Sequence, residues 1–249
     1  MGDKYEKQNY SNVAVECGSS KIFLISIILY LVQNVLTLGR SIFNEIVELI
    51  NRNGNGLASF FENIAHAAIM GLIAIYIGFL LYGLYKRFKG RAQDENRINR
   101  IFILTVIQSA VAFLAILKLM TADAEGAGEW IAVIIFAFIM LAIMIVYALS
   151  IKKTVKHLQS VMNGEPEGKP SVIITIILLI YSLSILIFPF SSSMRDIVLS
   201  TSVTNIIDAV LETVTLIVSW ASSLLWLIIL TRFKKKLKAV EKKYKKKYI

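Results

Sequence analysis

WIAVIIFAFIMLAIMIVYAL, Trp130–Leu149, runs for twenty residues without a charge, an amide or a proline. At 1.5 Å rise per residue such a segment is about 30 Å long as a helix, the thickness of a bilayer's hydrocarbon core. Working outward from it, five more apolar runs appear, at Lys21–Leu38, Ala65–Tyr85, Ile101–Leu119, Val172–Phe190 and Ile206–Leu230. Lipid offers no hydrogen-bond partners, so each run must satisfy its own backbone. A closed barrel would show alternating segments of about ten residues instead. The expected fold is all-α, a polytopic membrane bundle of six helices arranged as three hairpins. With 56% hydrophobic residues in 249, the composition suits a chain that faces lipid.

Positively charged short loops stay in the cytoplasm, and the basic residues separate cleanly. Of the 27 Lys and Arg, 23 fall in the N-terminal segment together with Lys21 at the start of the first span, the 86–100 and 151–170 loops, and the tail. The other four are Arg40, Arg52, Arg195 and, near the outer end of the third span, Lys118. Both termini are therefore expected inside, with loops 40–63, 120–129 and 191–205 outside. The net charge of +10 is in this reading a topology signal before it is a nucleic-acid signal. Residues 1–20 form a cytoplasmic N-terminal segment, 21–230 the transmembrane domain, and 231–249 a basic cytoplasmic tail. The acidic Asp3, Glu6 and Glu16 do not make a signal-peptide n-region, so the first span serves as the insertion signal. A lone cysteine, Cys17, excludes an intramolecular disulfide and a Cys-rich metal site.

Two stretches beyond the spans carry helical periodicity. Ile42, Ile46, Leu49 and Ile50 share a face before Gly54-Asn55-Gly56 breaks the run, so an outer amphipathic helix either continues the first span or lies in the interface. Val155, Leu158, Val161 and Met162 prolong the fourth span inward to Gly164, and Glu165 to Pro170 force a turn.

An internal repeat is suggested by Ile22-Phe23-Leu24-Ile25-Ser26, Ile101-Phe102-Ile103-Leu104-Thr105 and Val172-Ile173-Ile174-Thr175, which open the three outward-going spans. The Pro-x-Asp/Glu-x-x-Lys/Arg signature of the three-hairpin carriers is absent from every span. The Lys152–Val172 stretch, with a basic helix end, Asn163-Gly164-Glu165-Pro166 and an apolar restart, resembles multi-pass membrane proteins of low-GC Gram-positive bacteria. That resemblance implies a bacterial plasma membrane and no particular activity.

Catalytic motifs are missing from the sequence: it has no Gly-x-Ser-x-Gly, no His-Glu-x-x-His and no Cys-x-x-Cys. The expected topology puts its two histidines, His66 and His157, on opposite sides of the bilayer. Gly164 to Pro170 mimics a phosphate loop but has one residue too few and Pro170 where a hydroxyl belongs. The sequence therefore assigns no catalytic, cofactor or metal site. The basic 86–100 loop lacks interleaved aromatics beyond Phe88 and Phe102, which points to anionic lipid headgroups and away from nucleic acid.

Polar groups in or beside the spans are the remaining candidates, because burying one in lipid is costly. Gln33 and Asn34 in the first span and Gln108 in the third are expected to hydrogen-bond between helices. Glu62 and His66 open the second span, and Asp208 and Glu212 open the sixth, each pair four residues apart on one helical face. If these spans adjoin, the four side chains converge on a cation or a proton; otherwise the acids complement helix N-termini. A small-residue stripe, Ala67, Gly71, Ala74 and Gly78, with Ser219, Ser222 and Ser223 on the sixth span, would let two backbones approach closely.

The tail has its own pattern. Phe233, Leu237, Val240, Tyr244 and Tyr248 recur at helical spacing among lysines, a basic amphipathic helix. One expectation bends it onto the cytoplasmic leaflet, with Lys234, Lys235, Lys236, Lys238, Lys242 and Lys243 on anionic lipid. Others leave it as a solvated topology anchor or as a docking helix for a protein partner or second copy. By function, a non-enzymatic accessory, sensing or assembly subunit leads, ahead of a small-solute or ion transporter and of a membrane-embedded hydrolase or transferase.

Overall fold

The computed structural model describes residues 2–51, 56–90, 94–122, 126–164, 172–187 and 202–245. Among them it is helical, with seven helices and no strand: α1 (Gly2–Gly18), α2 (Lys21–Asn51), α3 (Leu57–Lys89), α4 (Glu95–Ala122), α5 (Ala127–Met162), α6 (Val172–Ile187) and α7 (Val203–Lys245). Five of these, α2, α3, α4, α5 and α7, are long and apolar enough to cross a membrane. The expected fifth span, 172–190, is described only as the 16 residues of α6. Its outward end and the 191–201 loop lie outside the described residues.

Helix boundaries follow from local chemistry. The Asp94 carboxylate accepts the Arg97 backbone N–H at 3.0 Å and so caps α4. Ser20 joins α1 to α2: its hydroxyl donates to the Cys17 carbonyl at 2.8 Å and accepts the Phe23 N–H at 3.2 Å. Gly56 (φ 94°) and Gly164 (φ 78°) turn the chain where a left-handed backbone is needed. Within the apolar runs, Thr105, Ser109 and Thr213 donate their hydroxyls to carbonyls four residues back, so these polar groups need no lipid-side partner.

The six helices from α2 to α7 form a closed ring. Each packs on its neighbours in chain order, and α7 returns to α2. The seventh, α1, crosses the end of the ring that carries both termini and packs on every second member, α3, α5 and α7. Tyr10, Val13 and Ala14 of α1 are buried there with Leu84 and Phe88, Ile98, Val161 and Met162, and Phe233 and Leu237. A second cluster, Phe23, Ile27, Ile77 and Leu81, continues toward the middle and takes in Trp226.

Three features are specified only by the structure. The N-terminal segment is a folded helix, held because Tyr10, Val13, Ala14 and Cys17 make an apolar stripe at helical spacing. The tail does not bend: α7 runs straight to Lys245, since Phe233 and Leu237 fill the protein's own core and Val240 packs against it. Tyr248 lies outside the described residues. The small-residue stripe of α3 faces α2, because a Cβ on Gly78 would stand 2.2 Å from Leu31 and one on Gly71 would stand 2.9 Å from Leu38. Of the two placements open to the 42–50 segment, the structure has the continuous one, with α2 unbroken to Asn51 over 31 residues.

Candidate functional site

The ring's far end, opposite the termini, opens into a cleft of about 580 Å³ between α2, α3 and α4, lined by polar and apolar side chains together. On α3, Glu62, Asn63, His66 and Gly71 line it. On α2 the polar side chains Asn34, Thr37, Ser41, Asn44 and Glu45 line it, and on α4 Gln108 and Lys118 do so. Lys118 is ion-paired with Glu62 at the mouth, where both side chains are about 60% exposed (59% and 62%). Asn63 donates to Glu45 at 3.0 Å and clasps α3 to α2. Gln108 lies near the middle of the expected 101–119 span, so the cleft runs from the charged mouth to a depth where an amide must face protein or water.

The four expected outer residues are not brought together. Glu62 and His66 line the cleft, whereas Asp208 and Glu212 grip Arg40 of α2. Arg40 Nε and Nη2 donate to Asp208 at 2.7 and 3.0 Å, and Nη2 lies 3.2 Å from Glu212. The physical reason is that α2 packs on both α3 and α7, and its guanidinium offers the two carboxylates a planar fork of donors. Among the described residues no three His, Cys, Asp or Glu side chains form a group able to hold a metal ion.

The intramembrane amides also differ from expectation. The Asn34 amide donates to the Tyr30 carbonyl of its own helix at 2.7 Å, so its nitrogen bonds along α2 and does not link two helices. Gln33 is half-buried and is not part of the cleft. Asn34 is a sequence candidate, but Arg40 and the hydroxyls of Thr37 and Ser41, which continue its stripe at a spacing of three and then four, are not, although that spacing is a helical signal. Arg40 was counted there only as an outer charge.

At the opposite end the ring holds a partly open apolar chamber of about 220 Å³, lined by α1, α2, α3, α4, α5 and α7. His157 is buried beside it, edge-on to Phe233 with ring centres 6.2 Å apart. The two histidines therefore belong to different ends of the molecule. Here too lies Cys17, whose thiol pKa burial pushes up, against a downward pull from Lys236.

The basic residues of this end are partly engaged. Asp94 holds Arg97 at 3.3 Å and Arg87 at 3.9 Å. In the tail, Lys236 is paired with Glu16 of α1 and Lys234 donates to the Thr175 hydroxyl of α6 at 2.9 Å. Lys235, Lys238, Lys242 and Lys243 are exposed. Compared with family models, curated proteins and solved structures, the chain matches none of them.

Proposed function

We propose that this chain is a six-span plasma-membrane protein, with both termini in the cytoplasm, that binds a small hydrophilic solute in its outward-facing cleft. It acts as a sensing or accessory subunit and not as an enzyme. The observation that carries the reading is the cleft whose polar side chains run from Glu62 and Lys118 to Gln108. Its lining mixes carboxylate, ammonium, imidazole and amide groups, which suits a zwitterionic or hydroxylated solute better than a bare ion. The positive-inside bias supports the orientation, and the α1 plug accords with binding from one side only.

Transport is the second reading, favoured by the depth of the cleft. It requires the α1 plug to release, since the inner core closes the ring beneath. Both readings need water in the cleft, and a cysteine scan on a Cys17→Ser background tests this in intact cells. Cysteines at Ser59, Gly126 and Gln108 should react with a membrane-impermeant thiol reagent from outside, and one at Lys245 should not. Labelling at Lys245 overturns the orientation. A silent Gln108→Cys, with Ser59→Cys labelled, overturns the cleft as a solute site.

A further inference from the structure

We propose that the apolar chamber at the termini-bearing end holds one acyl chain of an anionic phospholipid, with the lipid phosphate on Lys234. The proposal rests on the reading that this end lies at the cytoplasmic leaflet. The chamber wall offers a chain what lipid offers it: Leu81, Leu84, Ile101, Phe102, Trp226 and Ile229. Water would find few partners there, because Thr105 and Thr154 donate their hydroxyls to carbonyls of their own helices at 2.8 and 3.0 Å. At about 220 Å³ it exceeds the roughly 150 Å³ engineered cavity that accepts benzene. Left empty, it would forfeit the dispersion contacts of its lining.

Depth and charge select the headgroup. Along α7 the lining runs from Trp226 to Lys234, eight residues or about 12 Å. It thus spans from within the hydrocarbon to just past the 206–230 span, at headgroup level. Lys234 is half-buried, and among the described residues its partner is the neutral Thr175 hydroxyl at 2.9 Å, whereas Lys236 two residues on has a carboxylate. A phosphate oxygen would replace that hydroxyl with a charge-assisted hydrogen bond. Lys235, the next residue and exposed, adds positive charge at this level. Among the described residues α5 and α7 line the chamber while α6 does not, and Lys234, which lines it, reaches across to Thr175 of α6.

Trp226 lines the chamber and stands edge-on to Phe23 at 5.7 Å, which supplies a reporter. The full-length protein carrying Trp130→Phe and Trp220→Phe retains Trp226 as its one tryptophan. In detergent micelles it is titrated with phosphatidylglycerol bearing brominated chains, and in parallel with brominated phosphatidylcholine. The expected result is saturable quenching of Trp226, with half-saturation at about fivefold lower mole fraction for the anionic lipid, the effect of one lysine at a headgroup. Lys234→Gln should remove that preference, and Thr154→Phe, which fills the chamber, should abolish saturation. Quenching that rises linearly, equally for both lipids and unchanged by Lys234→Gln, would overturn the proposal. So would saturable quenching that ignores the headgroup, or saturation by a brominated fatty acid alone. Lys234→Gln changes only a half-buried tip, so the comparison stands even where Thr154→Phe fails to fold. A micelle has no inside or outside, so failure here is separate from failure of the orientation.

Discussion

Arg40 and Asp208, 168 residues apart, are joined by two hydrogen bonds of 2.7 and 3.0 Å that tie the first long helix to the last. Each side chain keeps under a third of its surface exposed (28% and 29%), so the pair lies between an exposed ion pair, worth about 0–1 kcal/mol, and a buried one, whose breakage costs about 3–5 kcal/mol. Arg40→Gln and Asp208→Asn should each lower stability by about 1–2 kcal/mol in thermal unfolding of the detergent-solubilised protein. Because the two share one interaction, the double variant should cost clearly less than the sum. Additive losses would show that the pair does not hold α2 to α7.

The inner core makes a second prediction. Phe233 and Leu237 are buried at 8% and 5% exposure among residues of α1, α3, α4 and α5. Leu237→Ala should destabilise by about 2–5 kcal/mol and make α1 open to limited trypsin cleavage at Lys4 and Lys7. A stripe lying on lipid would instead leave α1 protected in the variant. Gly18→Val tests the same junction from the other side, since even a Cβ there would stand 2.2 Å from the Phe88 ring. It should release α1 with Leu237 intact.

Cys17 gives a pH prediction. Burial raises its thiol pKa, Lys236 and Arg232 lower it, and Glu16 raises it. Thiolate is the reactive form, so the native protein should react with a maleimide more slowly than a free thiol at neutral pH. Its rate should keep climbing with pH beyond the ordinary thiol range. Lys236→Gln removes a cation that favours the thiolate and should shift the profile further upward; a downward shift would contradict the placement of Lys236. The raised pKa also means that the fold binds this proton more tightly than the unfolded chain. Its stabilising contribution is complete below the unfolded thiol's pKa and is lost as pH rises through the folded one.

Helical class could be read from Trp130–Leu149 and its counterparts because a lipid-spanning backbone has few options. The continuation of α5 to Met162 could be read from Val155, Leu158 and Val161, because periodicity of 3.6 is local. The α1 stripe, Tyr10, Val13, Ala14 and Cys17, was equally available and was obscured by the charged residues around it. The polar stripe of α2 was hidden differently, since Thr37 and Ser41 are read as tolerated hydroxyls until a cleft is seen beside them.

What the sequence by itself determined is therefore local: which apolar segments are helices long enough to span, and where turns such as Gly54-Asn55-Gly56 and Gly164 to Pro170 interrupt them. Only the tertiary structure decided which polar side chains meet. Glu62 pairs with Lys118 and does not converge with Glu212 on a shared cation, because α2 lies against both α3 and α7 and its Arg40 takes the two α7 carboxylates. Phe233 and Leu237 likewise meet Tyr10 and Val13 and not lipid, because α1 crosses the ring where α7 leaves it. Helix periodicity depends on neighbours three and four residues away, whereas the order of helices around a ring depends on side-chain fit between segments up to 168 residues apart.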